Sequence, residues 1–213
     1  MRPEQTCWRC GADGDIGLVC PDCAAVQPLA PNADLFTVLG LARRLDVDPR
    51  ELERRYVDLS RAVHPDRFQT GTPRERELSL AASAAVNRAY RTLRDPVARG
   101  RYWLELHGAR LGDDPPRVPP AIAAEVFETQ EKLAALRSAG DDGRELRRDV
   151  EELHTDLATR LGDLRDALVS GYAADIPLDD LKGRLAEIAY LRTLLGDVED
   201  AIGEGFRATD HRH

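Results

Sequence analysis

The stretch from Asp48 to Pro96 reads DPRELERRYVDLSRAVHPDRFQTGTPRERELSLAASAAVNRAYRTLRDP. Asp48 is a typical helix N-cap, and Pro49 suits the first turn, where no backbone donor is needed. Pro65 ends the helix because it lacks an N–H group and favours an extended conformation at the preceding residue. The apolar positions share one face: Leu52, Tyr56, Leu59 and Val63. The pattern predicts an amphipathic helix that stops at a polar turn.

A second predicted helix follows that turn. Thr72 is a candidate N-cap, Pro73 fits the first turn, and Glu75 stands where a capping box needs it. Small and apolar residues form its stripe: Leu78, Ala82, Val86, Ala89 and Leu93. Asp95-Pro96 ends the run. Two facing stripes joined by a short loop predict an antiparallel helical hairpin with an exposed tip.

The tip carries His64-Pro65-Asp66, where a rigid proline separates two polar side chains. An acid/base pair there would also need a nucleophile, an oxyanion site and a pocket. The nearby sequence offers none of these, so we expect no enzyme. A docking surface for a partner and an ordinary polar turn are the other two interpretations.

All four cysteines fall in the first 23 residues, as Cys7-Trp8-Arg9-Cys10 and Cys20-Pro21-Asp22-Cys23. A two-residue gap lets both thiolates of a pair turn onto one ion, and two such knuckles supply the closed four-sulfur shell of structural zinc. The residues between the knuckles allow a short β hairpin.

Other chemistries of four thiols remain open. Two disulfides are disfavoured in a reducing cytoplasm, and a redox pair needs only one Cys-x-x-Cys. An iron site or an iron–sulfur cluster is chemically possible. We therefore expect structural zinc, with iron as the alternative.

Composition indicates a mainly helical chain, and the length suffices for one large or two modest domains. The 213 residues include 32% charged and only 5% aromatic residues. Positions 1–117 hold 18 basic and 17 acidic residues, whereas the remainder holds 12 and 21. The acidic excess of the C-terminal part argues against broad nucleic-acid or acidic-membrane binding by that part. No apolar run is long enough for a membrane span and no signal peptide is visible, so we expect a cytoplasmic protein.

The C-terminal region carries three helical patterns after a proline-rich segment. Their seams predict an antiparallel three-helix bundle. The seam positions are Ile122, Val126, Thr129, Leu133 and Leu136 on the first helix; Leu146, Val150, Leu153, Leu157, Leu161, Leu164 and Leu168 on the second; and Leu178, Leu181, Leu185, Ile188, Leu195, Val198 and Ile202 on the third. Some apolar and acidic residues lie off the seam: Phe127, Glu128, Glu131, Tyr190 and Leu194. They form either a partner surface or ordinary helix packing.

The helix, His-Pro-Asp loop and helix resemble a J domain, the module by which co-chaperones engage a DnaK-type ATPase. The segments NRAYRTL at 87–93 and RGRYWLELHG at 99–108 resemble the HscB branch of that family, some members of which carry an N-terminal four-cysteine zinc module. The resemblance implies that His64, Pro65 and Asp66 trigger ATP hydrolysis in the chaperone. It makes basic residues of the same region candidate docking cations: Arg55, Arg61 and Arg67.

HscB proteins also bind an IscU-type cluster scaffold through an apolar and acidic surface of the C-terminal bundle. By that resemblance Phe127, Glu128, Glu131 and Tyr190 are the candidate scaffold-binding residues. Alanines stand where the family more often has larger or acidic side chains: Ala123, Ala124 and Ala135. These departures predict a scaffold contact that is weaker or differently shaped.

The expected organisation is a zinc module at 1–30, a J domain at 31–110, a linker at 111–120, a bundle at 121–207 and a tail at 208–213. The expected function is a co-chaperone of iron–sulfur cluster assembly that brings the scaffold to a DnaK- or HscA-type chaperone. A general J-type co-chaperone with another client and a zinc-dependent nucleic-acid-binding regulator are the alternatives.

Overall fold

The computed structural model describes residues 5–111, 120–138 and 143–210. The chain forms two compact units, residues 1–99 and 100–213. The mainly helical class with a small cysteine-knuckle sheet is confirmed. In the parts of the chain that the structure describes, no helix is long and apolar enough to cross a membrane. The predicted limits of the five segments stay predictions.

The cysteine module contains a two-stranded antiparallel sheet of β1, Gln5–Thr6, and β2, Asp13–Gly14. The small sheet at the knuckles is confirmed, and β2 lies between the two knuckles as predicted. β1, however, precedes Cys7, so the hairpin encloses the first knuckle instead of lying wholly between the two. A single antiparallel bridge from Val19 to Val26 flanks the second knuckle. Each knuckle is thus a turn closed by β pairing on both sides, which spacing alone does not reveal.

The hairpin of the first unit agrees with the sequence almost to the residue. The short helix α1 (Leu35–Leu39) precedes α2 (Pro49–Ala62), and a 3₁₀ turn (Pro65–Phe68) leads to α3 (Pro73–Arg94). Asp48 caps α2, and the capping box at Thr72 and Glu75 is complete. These local rules hold because each cap satisfies backbone N–H groups that a helix start leaves unpaired.

The core of this unit lies between α1 and the hairpin. α1 packs against both α2 and α3, and four of its five residues are buried: Leu35, Phe36, Val38 and Leu39. The facing stripe of α3 is built from small residues, and Ala82, Val86 and Ala89 are buried. Tyr56 of α2 stacks on Tyr90 of α3 with ring centroids 4.0 Å apart. The close helix approach fixes the tip relative to the rest of the unit.

The second unit contains most of α4 (Pro96–Leu106) and the predicted bundle, α5 (Pro120–Ser138), α6 (Arg144–Ala173) and α7 (Leu178–Asp210). α7 packs against both other bundle helices. Arg160 of α6 forms ion pairs with Glu125 of α5 at 2.7 Å and with Glu187 of α7 at 3.4 Å. A charged side chain thereby joins all three helices beside the apolar core.

The described seam positions are buried or half-buried, as the spacing predicts. Thr129 fills the middle of the α5 seam and is 2% exposed. Leu194 differs from its prediction, because it lies in the core rather than off the seam. A helix packed against two neighbours buries a wider face than a single stripe. Most of the predicted linker at 111–120 and the last three residues of the predicted tail lie outside the described residues.

Candidate functional site

The His-Pro-Asp tripeptide follows directly on the end of α2. His64 is the N-cap of the 3₁₀ turn, and its Nδ1 accepts a hydrogen bond of 3.3 Å from the backbone N–H of Asp66. The same Nδ1 lies 3.6 Å from Asp66 Oδ2, and both side chains are more than half exposed. The tip thus presents an imidazole and a carboxylate in a geometry that the backbone holds fixed.

Two side-chain hydrogen bonds connect the loop region to the neighbouring helices. Ser79 of α3 is fully buried, and its Oγ donates a hydrogen bond of 2.8 Å to the carbonyl of Val63. Arg67 Nη1 donates a bond of 3.3 Å to the carbonyl of Arg61. The sequence interpretation missed Ser79, although a serine within a buried small-residue stripe is a signal for such a bond.

The structure places the three candidate docking arginines on the exposed surface of α2 and of the loop. Arg61 and Arg67 are brought together across the end of α2. Arg55 lies earlier on the helix, where its Nη2 is 3.6 Å from Glu51 Oε1. Arg61 and Arg67 therefore place basic side chains beside the loop, whereas the charge of Arg55 is partly balanced by Glu51 within α2.

The four cysteine sulfurs lie within 4.8 Å of one another. Cys7 and Cys23 Sγ are 3.7 Å apart, and Cys10 and Cys20 Sγ are 3.8 Å apart. A tetrahedron with metal–sulfur bonds of about 2.3 Å has edges of about 3.8 Å. The donor set therefore fits a four-coordinate metal ion in a closed shell.

Two backbone N–H groups of the first knuckle point at the Cys7 sulfur. The N–H of Cys10 is the main cause that lowers the pKa of the Cys7 thiol to about 6, and the N–H of Arg9 acts in the same direction from 3.4 Å. For Cys10, the largest single effect is the N–H of Ala12, which favours the thiolate, but the Cys23 sulfur, burial and the Cys7 and Cys20 sulfurs together outweigh it and raise the pKa to about 12. Ionising all four sulfurs requires a cation among them, which is what a bound metal supplies.

A second layer of polar contacts supports the sulfurs. The buried Gln27 Nε2 donates to Cys7 Sγ at 3.4 Å and to the carbonyl of Ala25 at 2.8 Å. Its Oε1 accepts a bond of 3.3 Å from the backbone N–H of Trp8. The sequence interpretation gave Gln27 no role in the metal site. Only the fold brings it beneath Cys7, so sequence spacing offered no signal for it.

The bundle candidates lie on two helices. Phe127 on α5 is 63% exposed, and Glu128 and Glu131 are exposed on the same helix. Tyr190 on α7 is half-buried. An exposed aromatic ring is a candidate anchor of a protein contact, because aromatic residues are enriched at the centres of such contacts. Whether all four residues form one surface stays a prediction.

Comparison with known proteins gives a consistent result. The human iron–sulfur cluster co-chaperone protein HscB is 30% identical over 193 residues, which cover 88% of this chain and 78% of that protein. The HscB homolog of Arabidopsis thaliana is 28% identical over 184 residues, covering 86% of this chain and 69% of its own length. The crystal structure of human HscB superimposes with a TM-score of 0.68, covering 92% of this chain and 97% of that one. No family model matches the chain.

Proposed function

The chain belongs to the HscB family of iron–sulfur cluster co-chaperones, and from this premise we propose that it stimulates the ATPase of a DnaK- or HscA-type chaperone and delivers an IscU-type scaffold to it. The observation that carries the proposal is the exposed His-Pro-Asp tip, held rigid at the end of a helical hairpin. We also propose a cytoplasmic location.

The tip acts as a docking trigger. Because His64 and Asp66 are exposed and held by the backbone, they can engage a partner with little loss of conformational entropy. Arg55, Arg61 and Arg67 supply the positive charge that steers an acidic partner surface towards the tip. In this role the tripeptide changes the partner's reaction rate, and no bond is made or broken on this chain.

The bundle acts as the client-holding part. Phe127 is the anchor of the scaffold contact, with Glu128 and Glu131 around it and Tyr190 on the neighbouring helix. Holding the scaffold and the chaperone on one molecule raises the effective concentration of one at the other. Stimulation should therefore be synergistic when both partners are present.

The cysteine module holds structural zinc in this proposal, with iron as the alternative. Cys7, Cys10, Cys20 and Cys23 fill a tetrahedral shell and leave no open position for a reacting ligand. The ion's contribution is the folding free energy of a module that has very little apolar core. Elemental analysis of protein purified under reducing conditions decides between the two metals.

The test is the steady-state ATPase rate of the cognate chaperone with this protein, with and without purified scaffold. His64→Gln is expected to abolish stimulation, and His107→Gln, a change of the same type just beyond α4, is the matched control. Joint substitution of Phe127 and Tyr190 by alanine is expected to remove only the synergy with scaffold. Full stimulation by His64→Gln would overturn the trigger role. Stimulation without synergy would indicate a J-type co-chaperone with another client.

A further inference from the structure

The first cysteine knuckle contacts the first turn of α3 through its two spacer residues. Arg9 Nη1 lies 3.1 Å from Glu75 Oε1. The guanidinium of Arg74 lies 4.4 Å from the centroid of the Trp8 indole, which is a cation–π distance. Trp8 and Arg9 are the residues between Cys7 and Cys10, so the residues that shape the knuckle are also those that reach the helix.

The positions of Trp8 and Arg9 depend on the folded knuckle. The indole N–H of Trp8 donates a bond of 2.7 Å to the carbonyl of Val26, beyond the second cysteine pair. The backbone N–H of Arg9 points at Cys7 Sγ. The buried apolar residues of the module are few and mostly small: Cys7, Ile16, Cys20, Ala25 and Val26. So small a core does not fold alone, so metal binding sets whether these contacts form.

The helix start that they touch is joined directly to the loop. Glu75 Oε2 accepts bonds from the backbone N–H of Thr72 at 2.9 Å and from its Oγ1 at 3.0 Å. The N–H of Gly71 donates to the carbonyl of Phe68, the last residue of the 3₁₀ turn that begins at Pro65. The Glu75 side chain is 13% exposed. One carboxylate thus caps α3, ends the loop and receives Arg9.

We propose that Trp8 and Arg9 are positioning residues for the His-Pro-Asp loop. The metal-loaded module clamps the first turn of α3 and thereby orders the segment from His64 to Glu75. The effect on chaperone stimulation rests on the proposed function. The clamp, by which we mean the contact of Trp8 and Arg9 with the first turn of α3, does not rest on the proposed function, because it is a property of the isolated chain.

The clamp must act in both directions, since a coupling free energy between two sites is reciprocal. If metal orders the helix start, an intact helix start strengthens metal binding by the same factor. Exposed ion pairs and cation–π contacts are individually weak. We therefore expect a coupling of about three- to tenfold.

The test uses the full chain, four single variants and the double variant that combines Arg9→Gln with Glu75→Gln. Arg9→Gln removes the ion pair, and Glu75→Gln removes it while keeping a residue that serves in a capping box. Arg9→Lys keeps the charge. Arg44→Gln is the matched control, because Arg44 forms an exposed ion pair with Asp46 in the same unit. The measurements are zinc affinity by competition with a chromogenic chelator, and amide hydrogen exchange over residues 65–76 with and without zinc.

Arg9→Gln and Glu75→Gln are each expected to weaken zinc binding about three- to tenfold, and the double variant should be no weaker than the worse single one. Arg9→Lys should recover most of the affinity, and Arg44→Gln should leave it unchanged. Removing zinc should increase exchange over 65–76 in the wild type but have little effect in Arg9→Gln.

The clamp is overturned if all variants bind zinc with equal affinity. It is also overturned if amide hydrogen exchange over residues 65–76 is the same with and without zinc. In the ATPase assay, Arg9→Gln should raise the concentration of this protein needed for half-maximal stimulation and leave the maximum unchanged. If no form of the chain stimulates a chaperone, the proposed function fails, while chelator competition and exchange still decide the clamp.

Discussion

Ser79 Oγ donates a hydrogen bond of 2.8 Å to the carbonyl of Val63, the residue immediately before His64. This carbonyl belongs to the end of α2, where the last carbonyls of a helix lack intrahelical partners. A fully buried hydroxyl of α3 therefore completes α2 at the point where the chain enters the His-Pro-Asp loop. The bond ties the direction of the loop to the packing of the two helices.

Ser79→Ala is expected to lower the free energy of unfolding by about 1–2 kcal/mol, because the buried carbonyl of Val63 loses its partner. It should also weaken chaperone stimulation under conditions where the protein stays folded. Urea denaturation and the ATPase assay measure the two effects. Ser83→Ala, at a half-buried position one turn later, is the control. An unchanged ATPase profile would show that the bond serves stability alone.

Gln27→Leu is expected to weaken metal binding about 10- to 100-fold, the usual cost of removing a residue that supports a metal ligand. The leucine fills the site but cannot donate to Cys7 Sγ or accept from the N–H of Trp8. Competition with a chromogenic chelator measures the loss. Gln130→Leu in α5, whose amide bonds Asp197 at 2.8 Å, controls for the loss of an amide far from the sulfurs. Equal affinities would contradict the supporting role.

Phe127→Ala is expected to reduce affinity for the scaffold at least tenfold and to leave the unfolding transition nearly unchanged. An exposed ring contributes little to the monomer, whereas a central aromatic anchor contributes strongly to a contact. Isothermal titration calorimetry with purified scaffold measures the affinity. Val169→Ala, at a position 44% exposed on α6, is the control. If both substitutions lower the affinity for the scaffold by the same factor, Phe127 is not an anchor of the contact.

The stability difference between the wild type and Glu75→Gln is expected to depend on pH. Hydrogen bonds from the backbone and side chain of Thr72, and then the charge of Arg9, hold the pKa of Glu75 below its ordinary value of 4.5. A carboxylate with a lowered folded-state pKa stabilises the fold above its unfolded pKa and loses that contribution as the pH falls through the folded value. The wild type should therefore have the larger free energy of unfolding at pH 7, and the free energies of the two proteins should become equal in acid.

Denaturation of both proteins at equal metal loading at each pH measures this difference without interference from metal loss. Glu77→Gln, at an exposed position of the same helix, controls for removal of a carboxylate from α3. A difference that stays constant from pH 7 into acid would contradict the role assigned to the ionised carboxylate.

Gly100→Ala is expected to destabilise the second unit by about 1–3 kcal/mol, because overpacking forces neighbours off their positions. A Cβ there would collide with the hydroxyl of the buried Tyr172 and approach Leu185 Cδ1 to 3.2 Å. Gly183→Ala in α7 is the matched control: its Cβ meets nothing within 4 Å, so it should stabilise by up to about 1 kcal/mol. A stabilising Gly100→Ala, measured by urea denaturation, would contradict the packing.

The sequence predicted local structure well where the rule involved neighbours in the chain. The caps at Asp48 and Thr72 follow from the demands of the immediately adjacent backbone. The four cysteines were identified as one site for the same reason, since metal-ligand spacing is a property of each short knuckle. The seam of the bundle was predicted because burial follows helical periodicity.

By itself, then, the sequence determined the helices, their caps, the hairpin with its polar tip and the four-thiol site. Only the tertiary structure decided that the β strands flank the first knuckle, that Leu194 is buried, that Gln27 lies beneath Cys7, that Ser79 bonds Val63 and that Arg9 reaches Glu75. These relationships join residues far apart in the chain. Their geometry depends on how whole helices and turns pack against one another. Periodicity and spacing within one segment do not specify which other segment it will contact.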